Sequence, residues 1–450
     1  MSMSVNELHD LVPDEVKPFF VSIYDIDPEI PVDVFTAFKG NGVDVCKAWE
    51  YGHDPDKTRI GIYAGIPISF IAPVKRFRFG SFGTVEVEFP NQYRLTLALS
   101  ELGKTVEEIL SKLRSYYFVH VNGRNVAYKI LRYRDAVAEA KALIKAFNVP
   151  LIALTYTFGV KPSAEAFMLY IPRFAPLFRI RYAGATTPCI NVMQMTLPET
   201  GKTFLANTLM FSFNYEYFTS MPSPARLVYD ASRNTFGSVF TRNGLIFDEV
   251  DKWRSSDKQH FKTVYSILLS GIENGIWTRE TRGYVMQQRQ RFIPVLMFTN
   301  VKEKPLDDTV TARKMFELIV ASWGGENPRA FVERFSIVQL FPFRFRVLDN
   351  ITGYVTPPSL KRGLVYVIQK LLRLVKPPAK PLPGRAGREY RKLYPIIKVL
   401  TCLTDRSVRE LTDYFVSGAL LTVEGFKDLA DGKTDYEFVK KLVSAVNEVS

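Results

Sequence analysis

Between residues 189 and 211 the chain passes from an apolar run, through a tight loop, into an apolar helical run. Few folds accommodate that order. A buried strand that feeds a helix across so short a loop predicts a parallel sheet with helices on its faces, hence an α/β fold. The loop reads Thr196-Leu197-Pro198-Glu199-Thr200-Gly201-Lys202-Thr203, and the helix begins at Gly-Lys-Thr. Amides at such a helix start face an anion. Lys202 adds a charge that phosphate oxygens can take up, and Thr203 adds a hydroxyl suited to Mg2+. The residues expected to hold a nucleotide are therefore Pro198, Glu199, Thr200, Gly201, Lys202, Thr203 and Phe204. The pattern G-x-x-x-x-G-K-[ST] calls for glycine where Thr196 stands, and Glu199 brings a carboxylate close to the phosphates.

A second motif lies downstream. Gly244-Leu245-Ile246-Phe247 is a strand-like run that ends in Asp248-Glu249-Val250-Asp251. Asp248 is expected to hold the magnesium together with Thr203, and Glu249 to polarise the attacking water as general base. Residues 292–298 form another buried-type run, ending in Thr299-Asn300. A polar side chain at that strand's tip can orient water between the first two motifs, which makes Asn300 a sensor candidate; otherwise it is a turn residue after a strand.

The chain has 450 residues, more than one compact core holds. Five segments are expected: a mixed α/β domain over 1–165 that could bind DNA, an ATPase core over 166–350, a helical lid element over 351–376, a proline-rich basic linker over 377–388, and a helical, winged-helix-like module over 389–450. Asn122-Gly123 between two β-prone runs predicts a hairpin. Lys75-Arg76-Phe77-Arg78-Phe79 reads either as a grip on a nucleic-acid backbone or, more plainly, as an edge strand with a solvated face. Ser359 is expected to cap a helix over 360–374.

Composition narrows the function classes. No apolar run is long enough to span a bilayer, and Glu7, Asp10, Asp14 and Glu15 at the start do not suit a signal or transit peptide. No membrane partner and a cytoplasmic location are expected. Three scattered cysteines and four scattered histidines have no metal-ligand spacing. The net charge of +13 favours a polyanionic partner, because phosphate neutralisation releases counterions.

The order of Gly201-Lys202-Thr203, Leu245-Ile246-Phe247-Asp248-Glu249 and Asn300 resembles Walker A, Walker B and sensor 1 of AAA+ ATPases. Within that superfamily the chain is most similar to the branch of MCM helicases and Lon-like BrxL proteins. That likeness rests on Ile267-Leu268-Leu269-Ser270-Gly271-Ile272-Glu273-Asn274-Gly275-Ile276, a helix ending before a hairpin, and covers roughly residues 190–347. The resemblance implies an AAA+ P-loop core that uses ATP and Mg2+ and assembles as a homo-oligomer, a hexamer in form. It also implies a pre-sensor hairpin over 277–291, whose Arg279, Arg282, Arg289 and Arg291 would track DNA. Arg334 becomes the arginine finger that reaches a neighbouring subunit's ATP, and Arg362 a sensor 2. The expected function is an ATP-driven motor on DNA, a helicase or translocase of a virus or mobile element. Two other readings stay open: an ATP-dependent DNA-bound switch that does not unwind, and a protein-remodelling ATPase.

Overall fold

A computed structural model describes residues 16, 19–22, 30–38, 44–81, 83–113, 115–131, 135–180, 188–253, 258–281, 284–287, 290–301, 311–323, 327–341, 343–378, 384–418, 428 and 433–449. The chain forms two compact units: Met1–Phe20 with Val137–Ser450, and Val21–Ala136.

The larger unit is built on a five-stranded parallel sheet. Its strands are β1 (Val192–Thr196), β2 (Tyr215–Phe218), β3 (Gly244–Phe247), β4 (Val295–Asn300) and β5 (Ile337–Phe341), in the order β5-β1-β4-β3-β2. Every neighbouring pair is parallel. The buried strands are near-continuous apolar runs because both faces are covered, as a parallel sheet requires. Alternate residues feed two cores. Val192, Ile246, Leu296 and Ile337 point into one, while Met193, Leu245, Val295 and Val338 point into the other. On the first face lie Leu205, Ala206 and Leu209 of the helix Lys202–Phe213, with Leu364 and Ile368 of the helix Pro358–Leu371. On the second lie Val264 and Leu268 of Lys258–Asn274 and Phe316 of Ala312–Ser322.

The unit boundary falls at residue 136 rather than 165. Leu143, Ile144, Leu151 and Leu154, on the helices Ala136–Phe147 and Pro150–Thr157, are fully buried in the core that also contains Leu209. The C-terminal segment is likewise part of this unit and not a module of its own. Leu393, Ile397 and Leu400 of the helix Gly384–Thr401, Leu411 and Phe415 of Asp405–Ser417, and Leu442 of Tyr436–Asn447 join that same core. Polar ties add to this apolar burial: Lys392 Nζ donates to the Cys189 carbonyl at 3.3 Å, and Arg313 Nε to that of Val416 at 2.9 Å. Among the described residues after 384 there are helices and no strand, so no wing is seen there. The proposed lid segment is the helix Pro358–Leu371, packed in the core. It starts on a proline and carries no side-chain cap, so Ser359 does not serve as one.

The unit Val21–Ala136 is antiparallel. Tyr116–Asn122 pairs on one side with Ile68–Pro73 and on the other with Asn125–Ile130, through the expected turn at Gly123, whose φ is 58°. A second sheet orders Arg76–Phe79, Thr84–Glu88 and Arg94–Ala98. Phe70, Val85, Val87, Phe89, Tyr117 and Val119 form its core. Asp44 and Asp54 cap the helices Val45–His53 and Pro55–Tyr63 through their side chains. No helix among the described residues is long and apolar enough to cross a membrane.

Helix Val45–His53 approaches the strand Ile68–Pro73 through Gly52, where a Cβ would lie 2.0 Å from the Ile71 carbonyl oxygen. Backbone cannot yield as a flexible side chain can. Gly52→Ala is expected to lower stability by about 1–3 kcal/mol, the usual cost of overpacking. A thermal or urea melt unchanged from wild type would show that the two elements are not held this close.

Candidate functional site

In a parallel sheet all carboxyl ends lie along one edge, and ligands bind where the connections diverge to either side. Here that point is β1, which has β5 on one side and β4 on the other. Register sets the detail: Thr196 is level with Asn300 on β4 and with Phe341 on β5. The loop that leaves β1 therefore starts beside the tip of β4.

The loop's departure from the glycine pattern has a simple structural reading. Thr196 is the last residue of β1 and keeps a strand conformation, so no glycine is needed there. The left-handed bends fall at Glu199 (φ 65°) and Gly201 (φ 78°). Thr196 Oγ1 and Thr200 Oγ1 lie 2.9 Å apart and fasten the two ends of the loop. Gly201 has a second reason to lack a side chain, since a Cβ would sit 2.9 Å from the Val347 side chain.

Beneath the loop lies Arg173, a guanidinium with no solvent exposure, on the helix Ala164–Phe174. Its Nη1 donates to the Thr200 carbonyl at 2.8 Å and its Nε to Gln194 Oε1 at 2.8 Å. Gln194 in turn donates to Gln339 Oε1 at 2.7 Å, and Gln339 to the Met168 carbonyl at 2.9 Å. This chain of satisfied polar groups ties β5, β1, the helix and the loop into one rigid base. Sequence reading passed over Arg173, although an arginine inside the apolar run Phe167-Met168-Leu169-Tyr170-Ile171-Pro172-Arg173-Phe174 is itself a sign of a buried, partnered charge.

Lys202 is nearly buried, 8% exposed. Its Nζ donates to Asn300 Oδ1 at 2.7 Å and to Thr196 Oγ1 at 3.3 Å. Burial pulls its pKa down to about 8, against the pull of Asp248, Asp251 and Glu249 in the other direction and with Arg173 adding to the fall. Lys202, Asn300 and the acids beyond β3 thus share one electrostatic neighbourhood.

Asp248 is 4% exposed and held from two sides. Tyr217, on β2, donates its hydroxyl to Oδ2 at 2.8 Å, and the Glu249 amide donates to Oδ1 at 2.8 Å. Burial first, then the hydrogen bond to Asp248, push the Tyr217 phenol up to about 12, and the Thr203 hydroxyl lies beside it. Tyr217 belongs to no motif and only the pairing of β2 with β3 brings it here. Glu249 adopts a left-handed conformation (φ 51°) and its carboxylate pairs with Lys252. A cleft of about 260 Å³ opens between residues 199–204 and the segment Arg346, Val347 and Leu348. Glu199 does not face it as an unpaired charge, because Arg346 Nε donates to its Oε2 at 2.7 Å.

Among the described residues no group of three or more His, Cys, Asp or Glu side chains could hold a metal ion. A magnesium that arrives with phosphates needs only one or two carboxylates, and the donor set of Asp248 and Thr203 fits that chemistry.

The arginines singled out in the sequence, where described, have partners within the chain. Arg362 Nη1 donates to the Ser212 carbonyl at 3.2 Å, at the far end of the helix Lys202–Phe213. Ten residues of helix put that about 15 Å from Lys202, so Arg362 supports a helix C-terminus and not the phosphates of its own chain. Arg334 is 12% exposed and engaged within its own chain, with Nε 3.1 Å from Glu273 Oε2 and a further bond to the Ala330 carbonyl. In the hairpin Thr278–Thr281 with Tyr284–Gln287, Arg279 donates to the Tyr229 carbonyl. Arg291 donates to the carbonyls of Phe240 and, at 2.7 Å, Arg242. Both anchor the hairpin's base to the segment before β3. Arg282 and Arg289 lie outside the described residues.

No family model matches the chain. It is similar to "Uncharacterized protein 440" of Sulfolobus islandicus rod-shaped virus 1, 28% identical over 73% of this chain and 76% of that protein. It is also similar to "Uncharacterized protein ORF426" of Acidianus filamentous virus 1, 26% identical over 79% of this chain and 87% of the relative. A third relative is "Uncharacterized protein ORF425" of Acidianus filamentous virus 2, 24% identical over 78% and 87%.

If the Arg334–Glu273 pair is structural, a double-mutant cycle with Arg334→Ala and Glu273→Ala should give a coupling of about 1 kcal/mol in unfolding free energy. A coupling near zero, with stability unchanged by Arg334→Ala, would free that arginine for a role outside its own fold.

Proposed function

We propose that the chain is an ATP-hydrolysing AAA+ motor that works as a ring on DNA, a helicase or translocase of a virus or mobile element. The observation that carries this reading is the meeting of Lys202, Asn300, Asp248 and Glu249 at the carboxyl edge of three adjacent strands, β1, β4 and β3. The tip of β4 stands between the phosphate loop and the acids, which is where a sensor of the γ-phosphate is useful. That all three relatives are encoded by viruses supports the assignment to a virus or mobile element.

The parts divide the work as follows. The loop amides and Lys202 receive the β- and γ-phosphates, and the rigid polar base under Thr200 keeps the amides aimed. Thr203 and Asp248 would hold Mg2+, which supplies charge neutralisation at the phosphates. Glu249 accepts the proton of the attacking water and Asn300 orients that water. The water oxygen bonds to the γ-phosphorus as the bond to the β,γ-bridging oxygen breaks, giving ADP and phosphate. The net charge of +13 supports DNA as the track.

One contact favours a second reading, an ATP-dependent oligomeric switch that binds DNA without unwinding it. The Glu249 carboxylate is held by Lys252, and it must leave that ion pair before it can take a proton. A site that rests with its base occupied turns over slowly. Lys252→Ala is then expected to raise basal hydrolysis, whereas in a motor it leaves the DNA-stimulated rate unchanged.

Purified protein should hydrolyse ATP faster with DNA than without. Lys202→Ala should abolish hydrolysis, and Glu249→Gln should lower it about 100-fold or more while nucleotide binding persists. Equal rates with and without DNA would count against the motor. pH offers an independent check. With a folded pKa of about 8 against an ordinary 10.5, Lys202 is charged in folded and unfolded chains alike below about pH 8. Between those values only the unfolded chain keeps the proton, so the Lys202 contribution to folding stability improves as pH rises. Affinity for a triphosphate should move the opposite way, falling by about tenfold per pH unit above 8 as the ammonium is lost. Titration calorimetry showing a flat affinity from pH 7 to about 9.5 would remove Lys202 from phosphate contact.

A further inference from the structure

In the unit Val21–Ala136 the strand Arg76–Phe79 is the outer strand of its sheet, and all four of its residues are exposed. Its two faces differ in chemistry. Antiparallel register sets Phe77 opposite Val87 and Phe79 opposite Val85, both fully buried, so the aromatic side carries the core face outward past its rim. The two rings are left 39% and 54% exposed, with centroids 5.7 Å apart. On the other face Arg76 stands opposite Glu88 and Arg78 opposite Glu86, over a shallow cleft of about 330 Å³. Glu88 binds both Arg76, at 2.8 Å, and Arg94, at 3.0 Å, while Arg94 also reaches Glu86 at 3.5 Å. Arg78 and the adjoining Lys75 have no ion pair among the described residues, and both are exposed. Three arginines and a lysine against two glutamates leave this edge positive.

A strand edge guarded against aggregation needs charges, and the arginines alone supply them. Two exposed phenylalanines work against that protection, so guarding the edge does not account for them. The geometry points to this edge as a binding surface for single-stranded DNA, whose bases stack on Phe77 and Phe79 while its phosphates lie along Arg78 and Lys75. A single strand exposes flat base faces next to a regular row of negative charge; Arg78 on one side of a free edge with rings on the other lets it straddle that edge, and the exposed Lys75 just before the strand adds charge at its start. Duplex DNA hides its base faces. A peptide added to the edge would use the backbone groups and leave the positive charge unanswered. The inference rests on the DNA part of the proposed function and is independent of the nucleotide site.

The test uses the full chain, a labelled oligothymidylate and fluorescence anisotropy over a range of salt concentrations. Phe77→Ala with Phe79→Ala should weaken binding about 30-fold or more, with the melting temperature and basal ATP hydrolysis unchanged. Arg78→Ala should reduce the slope of log affinity against log salt by about 0.7. Binding to a duplex of equal length should ignore the phenylalanine substitutions. The inference is overturned if the double variant binds the oligonucleotide within twofold of wild type, or if its sole effect is to dissociate an oligomer, which would make a second copy of this chain the occupant. DNA-stimulated hydrolysis that survives with oligonucleotide binding unchanged removes this surface and leaves the motor. Loss of binding in a chain that never hydrolyses ATP does the reverse.

Discussion

The parallel pairing of β1 with β4 is the constraint from which the site follows. It sets Thr196 level with Asn300, so the loop that leaves one strand opens beside the polar tip of the next. Lys202 then closes the arrangement by bonding to both. Shift that register by one residue and Asn300 would turn to the opposite face of the sheet, out of the lysine's reach. Because β3 pairs in the same direction, Asp248 and Glu249 emerge at the same edge, while β2 contributes the phenol that holds Asp248.

The charge balance at this edge sets buried cations among acids that have partners of their own. Two cations, Arg173 and Lys202, are buried under or within the loop, and burial works against the charged form of each. Arg173 meets that cost with hydrogen bonds to fixed acceptors and is committed to structure. Lys202 has fewer partners and a lowered pKa, so a phosphate would relieve what the protein alone does not. Nearby acids are kept from opposing it: Glu199 is answered by Arg346, Glu249 by Lys252, and Asp248 by Tyr217 and a backbone amide. The two surface pairs are exposed and weak, which suits groups that must rearrange when a ligand arrives.

Arginine is abundant here, yet several arginines that stand out in the sequence are spent on the fold. Arg279 and Arg291 fasten the hairpin, Arg334 joins Glu273, and Arg362 supports a helix end. A guanidinium offers five donors, and carbonyls near the ends of helices and strands are natural acceptors for them. Arg78, by contrast, stays exposed beside aromatic rings, on a strand whose neighbouring glutamates are already engaged.

The sequence by itself determined the parallel α/β sheet, the loop at Gly201-Lys202-Thr203, the acids after β3, the tip of β4 and the hairpin at Gly123, because each is written in a short contiguous stretch whose pattern has a local cause. It located the candidate loop despite Thr196, whose strand backbone does without glycine. Only the tertiary structure decided what depends on distant residues. Arg173 and Tyr217 reach the site from a preceding helix and a neighbouring strand, with no spacing to announce them. The carboxylate partner of Arg334 and the carbonyl partner of Arg362, 61 and 150 residues away, are likewise invisible in the sequence. The boundary at 136 and the incorporation of the C-terminal helices follow from apolar faces that match across the chain. A helix's own periodicity tells which face is buried, but the surface it is buried against is supplied from elsewhere in the fold.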